Sequence, residues 1–238
     1  ISSKGHQMKR YFSLIVCALL VPTLPLFSQA SAPSSEKTID TYLTQYAPYD
    51  MKFDASQYSK KDKLILKKLI QASEYLDTIF WLQTSKYGMK LRDSLMRLKN
   101  DPLAQKLLTL IVRNTGPFEL LNDNATFMGD RSFYAGQEFY PTGMTVEQFD
   151  AYVNKLSDQR KNEFMSPYTV IRDDGNGGYK AVPFHQEYRK YLTPISKLLK
   201  ESATLTDNRS FAKFLKLKAQ AMLTDDYYNA DVAWIDME

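Results

Sequence analysis

Residues 59–85, SKKDKLILKKLIQASEYLDTIFWLQTS, decide how the rest of the chain is read. Leu64, Ile65, Leu69, Ala72, Leu76, Ile79 and Phe80 recur at intervals of three and four, the period of an α-helix with one apolar face. Ser59 stands where a capping hydroxyl is wanted, so the run predicts a helix from Lys60 to about Ser85. Lys60, Lys61, Lys63, Lys67 and Lys68 crowd its first half, against the helix dipole. Some of them are therefore expected to meet acids elsewhere.

Downstream, Gly88 reads as a break, with a second helix through Leu91, Leu95 and Leu98. Asn100-Asp101-Pro102 is a stop and restart, since Asp101 can cap and Pro102 suits the first helical position. The third helix, Leu103 to about Arg113, is apolar on several sides, as expected of a buried element. Residues 114–144 form an irregular segment carrying Phe118, Phe127, Phe133, Tyr134, Phe139 and Tyr140. These rings either pin the loop to the core or line a ligand groove. Thr145 and Gln148 form a capping box for a helix ending near Lys161.

Tyr168–Ile171 and Tyr179–Val182 are β-prone runs joined by Asp-, Asn- and Gly-rich punctuation, a hairpin. Its turn lacks the spaced carboxylates of a calcium loop. Helices resume at about Glu187–Ser202 and Asp207–Leu223. The fold class is therefore mainly α with a small β component, a helical scaffold with one hairpin near 168–183.

Upstream the chain changes character. Residues 1–7 precede the first methionine as an extension. Met8, the basic pair Lys9 and Arg10, and an apolar stretch from Tyr11 to Phe27 lead to small-residue sites at Ser28-Gln29-Ala30 and Ala30-Ser31-Ala32. Residues 8–32 thus read as a cleaved signal peptide, with Pro22 and Pro25 arguing against a retained membrane anchor. The protein is accordingly expected to be exported, to the periplasm or cell exterior, and to leave the membrane after cleavage. Residues 33–57 read as a tether and extended lead-in, with a short helical turn around Ile39 to Tyr46 as the one exception, and 58–238 as the N-terminal part of the domain itself.

Removing the signal changes the charge balance. Of 31 basic residues, Lys4, Lys9 and Arg10 leave with it, so 28 face 27 acids, a formal net of +1. A balanced surface of this kind gives no reason to expect a nucleic-acid partner. The single cysteine, Cys17, leaves too, and with it disulfides, thiolate metal sites and cysteine nucleophiles.

Few residues remain for catalysis. His6 and His185 are the two histidines, and His6 precedes the presumed start. One histidine cannot furnish a His-Glu-x-x-His zinc pair, and no Gly-x-Ser-x-Gly elbow exists for His185 to serve. His185 reads as a structural or surface residue. Asp225-Asp226, with Asp231 and Asp236 nearby, is the most suggestive carboxylate pair for acid-base work, although acids at helix ends are commonplace.

Several segments, taken in order, resemble the N-terminal region of bacterial members of the dipeptidyl peptidase III family of zinc metallopeptidases. They are Gln71–Gln83, Asn114-Thr115-Gly116-Pro117-Phe118, the run Phe139-Tyr140-Pro141-Thr142-Gly143-Met144 into Phe149, Ser166–Ile171, Ala181–Phe184, Lys218–Tyr227 and Asp231–Asp236. The resemblance implies a part of a larger two-lobed fold that releases dipeptides from peptide N-termini, with zinc held by an HExxGH helix and a downstream glutamate. None of those ligands maps onto this chain. It therefore assigns no catalytic, metal or substrate-binding residue here, and zinc and peptide substrates are expected of the full-length parent alone. The start without methionine and the stop at Glu238, just after an apolar run, read as truncation. The alternatives are an exported helical binding module without enzymatic activity, and a degenerate relative that binds peptides without cutting them.

Overall fold

The computed structural model describes residues 35–237. The extension and the signal-peptide reading lie outside them. Ten helices and two short antiparallel hairpins are described: α1 Glu36–Thr44, α2 Lys60–Thr84, α3 Lys86–Leu95, α4 Pro102–Asn114, β1 Phe118–Glu119, β2 Ala125–Thr126, α5 Val146–Val153, α6 Asp158–Met165, β3 Thr169–Asp173, β4 Tyr179–Pro183, α7 Phe184–Glu187, α8 Arg189–Leu205, α9 Arg209–Ala221 and α10 Tyr228–Ile235. The mainly α expectation with a small β component agrees with this. No described helix is long and apolar enough to cross a membrane.

The 25-residue α2 is the beam that joins two cores. Ser59 and Asp62 satisfy each other's backbone N–H groups in a capping box at its start, removing two of the unpaired donors that every helix N-terminus exposes. Ala72 and Ile79 pack with Leu192, Ile195 and Leu199 of α8 and with Leu215 and Ala219 of α9. Trp81, near its other end, joins Leu91 and Leu95 of α3, Leu107, Leu110 and Ile111 of α4, and Phe127. Two of the crowded lysines do find acids across the bundle, Lys61 at Asp207 (2.9 Å) and Lys68 at Glu201.

The short turn expected around Ile39 to Tyr46 is a full helix that begins earlier, at Glu36. Residues 36–44 are helical: Ser35 caps α1 by accepting from the Thr38 N–H, and Ile39 is fully buried against α4. Lys106 of α4 holds its outer face through Glu36 at 2.9 Å and Asp40 at 2.8 Å. Ile39, Tyr42 and Leu43 supply a one-turn apolar stripe, too short to stand out from the Ser- and Tyr-rich surroundings. Residues 47–55 carry no regular structure.

Gly88 does not break a helix. Ser85 is the junction, capping α3 by accepting from the Gly88 N–H at 2.8 Å, and Gly88 lies in the first turn of α3. It is needed because a Cβ there would stand 2.8 Å from the Cα of Gly116. The helix expected over 145–161 is two, α5 and α6, separated at residues 154–157. The main hairpin pairs Thr169 with Pro183 through Asp173 with Tyr179, and buries Ile171 against Met144, Val153 and Phe164 in a third small core.

Candidate functional site

The segment 114–144 is shaped by what anchors it. α4 ends at Thr115, a β-branched residue held at φ 52°, in a region such side chains rarely enter. Immediately beyond, Glu119 is fully buried. Its Oε1 accepts from the Tyr46 hydroxyl at 2.8 Å and from the Leu121 N–H at 3.3 Å, and its Oε2 accepts from Asn114 Nδ2 at 3.1 Å. Every donor around this carboxylate is thus matched to an oxygen, the condition on which a charge is tolerated in an interior. Burial, then the neighbouring carboxylate, raises the Tyr46 hydroxyl above the usual tyrosine range.

The aromatic residues divide their labour. Phe127 is buried in the core of α3 and α4, and Phe139 packs beside the α2–α8 core, 6.2 Å from the Phe184 ring. These two pin the loop. Phe118 and Phe133 meet edge to face at 5.5 Å and, with Tyr134, Tyr87 and Thr115, line a narrow crevice of about 90 Å³. Tyr134 donates to the Met144 carbonyl at 2.6 Å, and its other flank borders a wider, open cleft of about 710 Å³ formed by Tyr140, Met144, Val146 and Phe149. Some of the rings therefore pin the loop and others line a crevice.

The rim of the crevice is polar and fixed. Glu138 accepts from the Lys86 N–H at 2.9 Å and donates its own N–H to the Gln83 carbonyl at 3.1 Å, locking the loop onto the α2–α3 junction. Arg131 lies over the Tyr87 ring at 4.4 Å. Gln137, also on the crevice, has φ 44°. Two non-glycine residues in left-handed backbone, Thr115 and Gln137, therefore border one small concavity, and such strain concentrates at working sites.

The carboxylates singled out near the end are not a pair. Asp225 is about nine-tenths buried and accepts from both the His185 N–H (3.1 Å) and Nδ1 (2.8 Å) through Oδ2. Asp226 is exposed and accepts from the Tyr228 N–H at 3.3 Å, while Asp231 is bridged to Lys218 at 3.4 Å. His185 is thus held by a carboxylate 40 positions away. The hairpin turn is self-contained, since Asp174 Oδ1 accepts from the Asn176 and Gly178 N–H groups at 2.7 and 2.9 Å. Among the described residues no three His, Cys, Asp or Glu side chains converge on a point that would hold a metal ion.

Glu119 and its network went unmarked in the sequence. A lone glutamate after a Gly-Pro turn carries no motif, and its principal donor, Tyr46, lies 73 positions away. The strained Thr115 sits in the Asn114–Phe118 segment that carried part of the family resemblance.

No protein-family model matches the chain. The structure of dipeptidyl peptidase III from Caldithrix abyssi is 34% identical and superimposes with a TM-score of 0.78, covering 84% of this chain and 37% of that one. The structure of dipeptidyl-peptidase III from Corallococcus sp. strain EGB is 30% identical, with a TM-score of 0.80 over 85% of this chain and 38% of that one. Nudix hydrolase 3 of Arabidopsis thaliana is 22% identical over 259 aligned positions, 88% of this chain and 34% of that protein. The chain spans little more than a third of each. In sequence and fold alike, this chain is related to the dipeptidyl peptidase III family.

Proposed function

We propose that this chain is the N-terminal, non-catalytic portion of an exported zinc-dependent dipeptidyl peptidase, and that its aromatic crevice forms one wall of the peptide-binding cleft. The observation that carries the reading is the likeness to two bacterial dipeptidyl peptidase III structures at 30% identity or more over about 85% of the chain. Export rests on the signal-peptide pattern of residues 8–32. Zinc, supplied by the remainder of such an enzyme, would polarise the scissile carbonyl and activate water.

This chain's own part is binding and positioning. Phe118, Phe133 and Tyr134 offer apolar and aromatic surface to a side chain of a bound peptide, and the Glu138 and Arg131 rim leaves polar groups for its backbone. Anchoring by Glu119 and Tyr46 keeps that wall rigid, which lowers the ordering cost of binding.

The reading is tested with Phe133→Ala in the uninterrupted protein that contains this chain. Loss of one ring from a binding wall raises KM for a peptide substrate about tenfold, a loss of about 1.4 kcal/mol, with kcat little changed. An unchanged KM, with the variant folded, removes the crevice from the substrate path.

A further inference from the structure

The turn of the main hairpin holds two dipeptides whose side chains can cyclise onto the following nitrogen, Asp174-Gly175 and Asn176-Gly177. In each, the acceptor of the attack is a side-chain carbonyl carbon, and the attacking nitrogen belongs to a glycine, which has no Cβ to obstruct the approach. The structure treats the two differently. Asp174 is gripped: its Oδ1 accepts from the Asn176 N–H at 2.7 Å and from the Gly178 N–H at 2.9 Å, while its own N–H donates to the Gly178 carbonyl at 3.0 Å. Those donors, Asn176 first and Gly178 second, hold its carboxyl below the usual carboxylate range. An ionised carboxylate is a poor electrophile.

Asn176 is exposed, and its side-chain amide makes no hydrogen bond among the described residues. The N–H of Gly177 is likewise without a partner among them, although Asp174 holds the N–H groups on either side of it. Gly177 has φ 83°, with nothing within 4 Å of where a Cβ would stand. An unheld electrophile, an unheld nucleophile and solvent therefore meet at one bond. Other asparagines are followed by engaged nitrogens: the N–H after Asn100 donates to Leu98 at 3.2 Å, that after Asn124 to Asn122 at 2.9 Å, and that after Asn154 to Tyr152 at 3.1 Å. None of the others precedes a glycine.

We infer that Asn176 is a site of spontaneous covalent modification, deamidated through a cyclic imide formed with Gly177. The Gly177 nitrogen gives its proton to water and bonds to Cγ of Asn176. The Cγ–Nδ2 bond breaks, and Nδ2 takes up a proton and leaves as ammonia. Water then opens the five-membered ring. Opening at Cγ gives aspartate, and opening at the main-chain carbonyl gives isoaspartate, in which the backbone runs through the side-chain methylene. Water is the co-reactant, and nothing is oxidised or reduced. The product sets a third carboxylate beside Asp173 and Asp174, and its isoaspartate form lengthens the turn that Asp174 grips. The inference does not depend on the peptidase reading.

The test is a timed incubation of the 238-residue chain at mildly alkaline pH, in buffer and in guanidinium chloride, followed by peptide mapping. A gain of one mass unit reports deamidation, and electron-transfer fragmentation separates isoaspartate from aspartate. In the folded chain Asn176 is expected to convert before any other asparagine, mostly to isoaspartate, and to yield an acidic form on anion exchange. Asp174 should stay unisomerised there and begin to isomerise in denaturant, where its grip is lost. Asn176→Gln should abolish the acidic form, because glutamine would have to close a six-membered ring. Gly177→Ala, checked for folding by circular dichroism, should slow the reaction severalfold. The proposal is overturned by earlier conversion of another asparagine, by isomerisation of Asp174 in the folded chain as fast as Asn176 reacts, or by an undiminished rate in folded Gly177→Ala. It is equally overturned if Asn176 is intact in the folded chain when half of it has reacted in denaturant.

Discussion

Replacing Glu119 by glutamine isolates the anchor of the aromatic wall. The substitution keeps the shape of the side chain, and one oxygen can still accept from Tyr46 and Leu121. Its new amide nitrogen then faces Asn114 Nδ2, where the carboxylate oxygen now lies at 3.1 Å, so donor meets donor. Asn114 cannot turn over without loss, because its Nδ2 also donates to the Leu110 carbonyl at 3.1 Å and its Oδ1 accepts from the Leu120 N–H at 3.2 Å. One charge-assisted bond is lost and one buried donor is left unmatched, a cost of about 2–3 kcal/mol. For a domain of this size the midpoint of a thermal melt should fall by roughly 5–10 °C. Far-UV circular dichroism of Glu119→Gln measures it. Tyr46→Phe, alone and combined with it, should show a coupling of about 0.5 kcal/mol or more. A Glu119→Gln midpoint within about 1 °C of the parent refutes the reasoning.

Gly88→Ala should destabilise the chain by about 1–3 kcal/mol, because the new Cβ meets the Gly116 backbone at 2.8 Å and backbone cannot step aside; an unchanged denaturant midpoint contradicts the close approach. Burial pushes the Tyr188 and Tyr227 hydroxyls up to about 12. Since both are raised above the value of the unfolded chain, about 10, their contribution to stability is intact below pH 10 and is lost as pH rises towards 12. Two tyrosines should therefore ionise late in a titration followed near 295 nm, and their absence from the late phase would show them to be solvated.

What was legible in the sequence follows from the range of each interaction. α2 announced itself because seven apolar residues keep one period over a long run, and the main hairpin because Gly175 and Gly177 sit between two β-prone runs and supply the positive φ its turn requires. α1 shows in the sequence only as a short turn and α10 not at all, for opposite reasons. α1 has a single fully buried residue, Ile39, whereas α10 carries apolar residues on all sides, leaving Trp234 and Ile235 exposed beside the buried Ala230 and Ala233. Neither presents the one-sided stripe that periodicity detects. Gly88 was misread because its role is a meeting with Gly116, 28 positions on, and not a local turn.

The candidate sites were less legible still. Their decisive contacts, Tyr46 with Glu119 and His185 with Asp225, join residues 73 and 40 positions apart. Only the fold brings them together. The aromatic segment could be marked as a loop, but its division into rings that pin and rings that line a crevice depends on which side of the α2–α3 junction each one reaches.

The most direct test of the account is the product released from a peptide by the uninterrupted protein containing this chain, purified and supplied with zinc. Mass spectrometry of a digested unblocked hexapeptide is expected to show stepwise loss of dipeptides from the N-terminus, abolished by a chelator and by N-terminal acetylation of the substrate. Single amino acids, internal fragments, or no cleavage by the folded, zinc-loaded protein would contradict it.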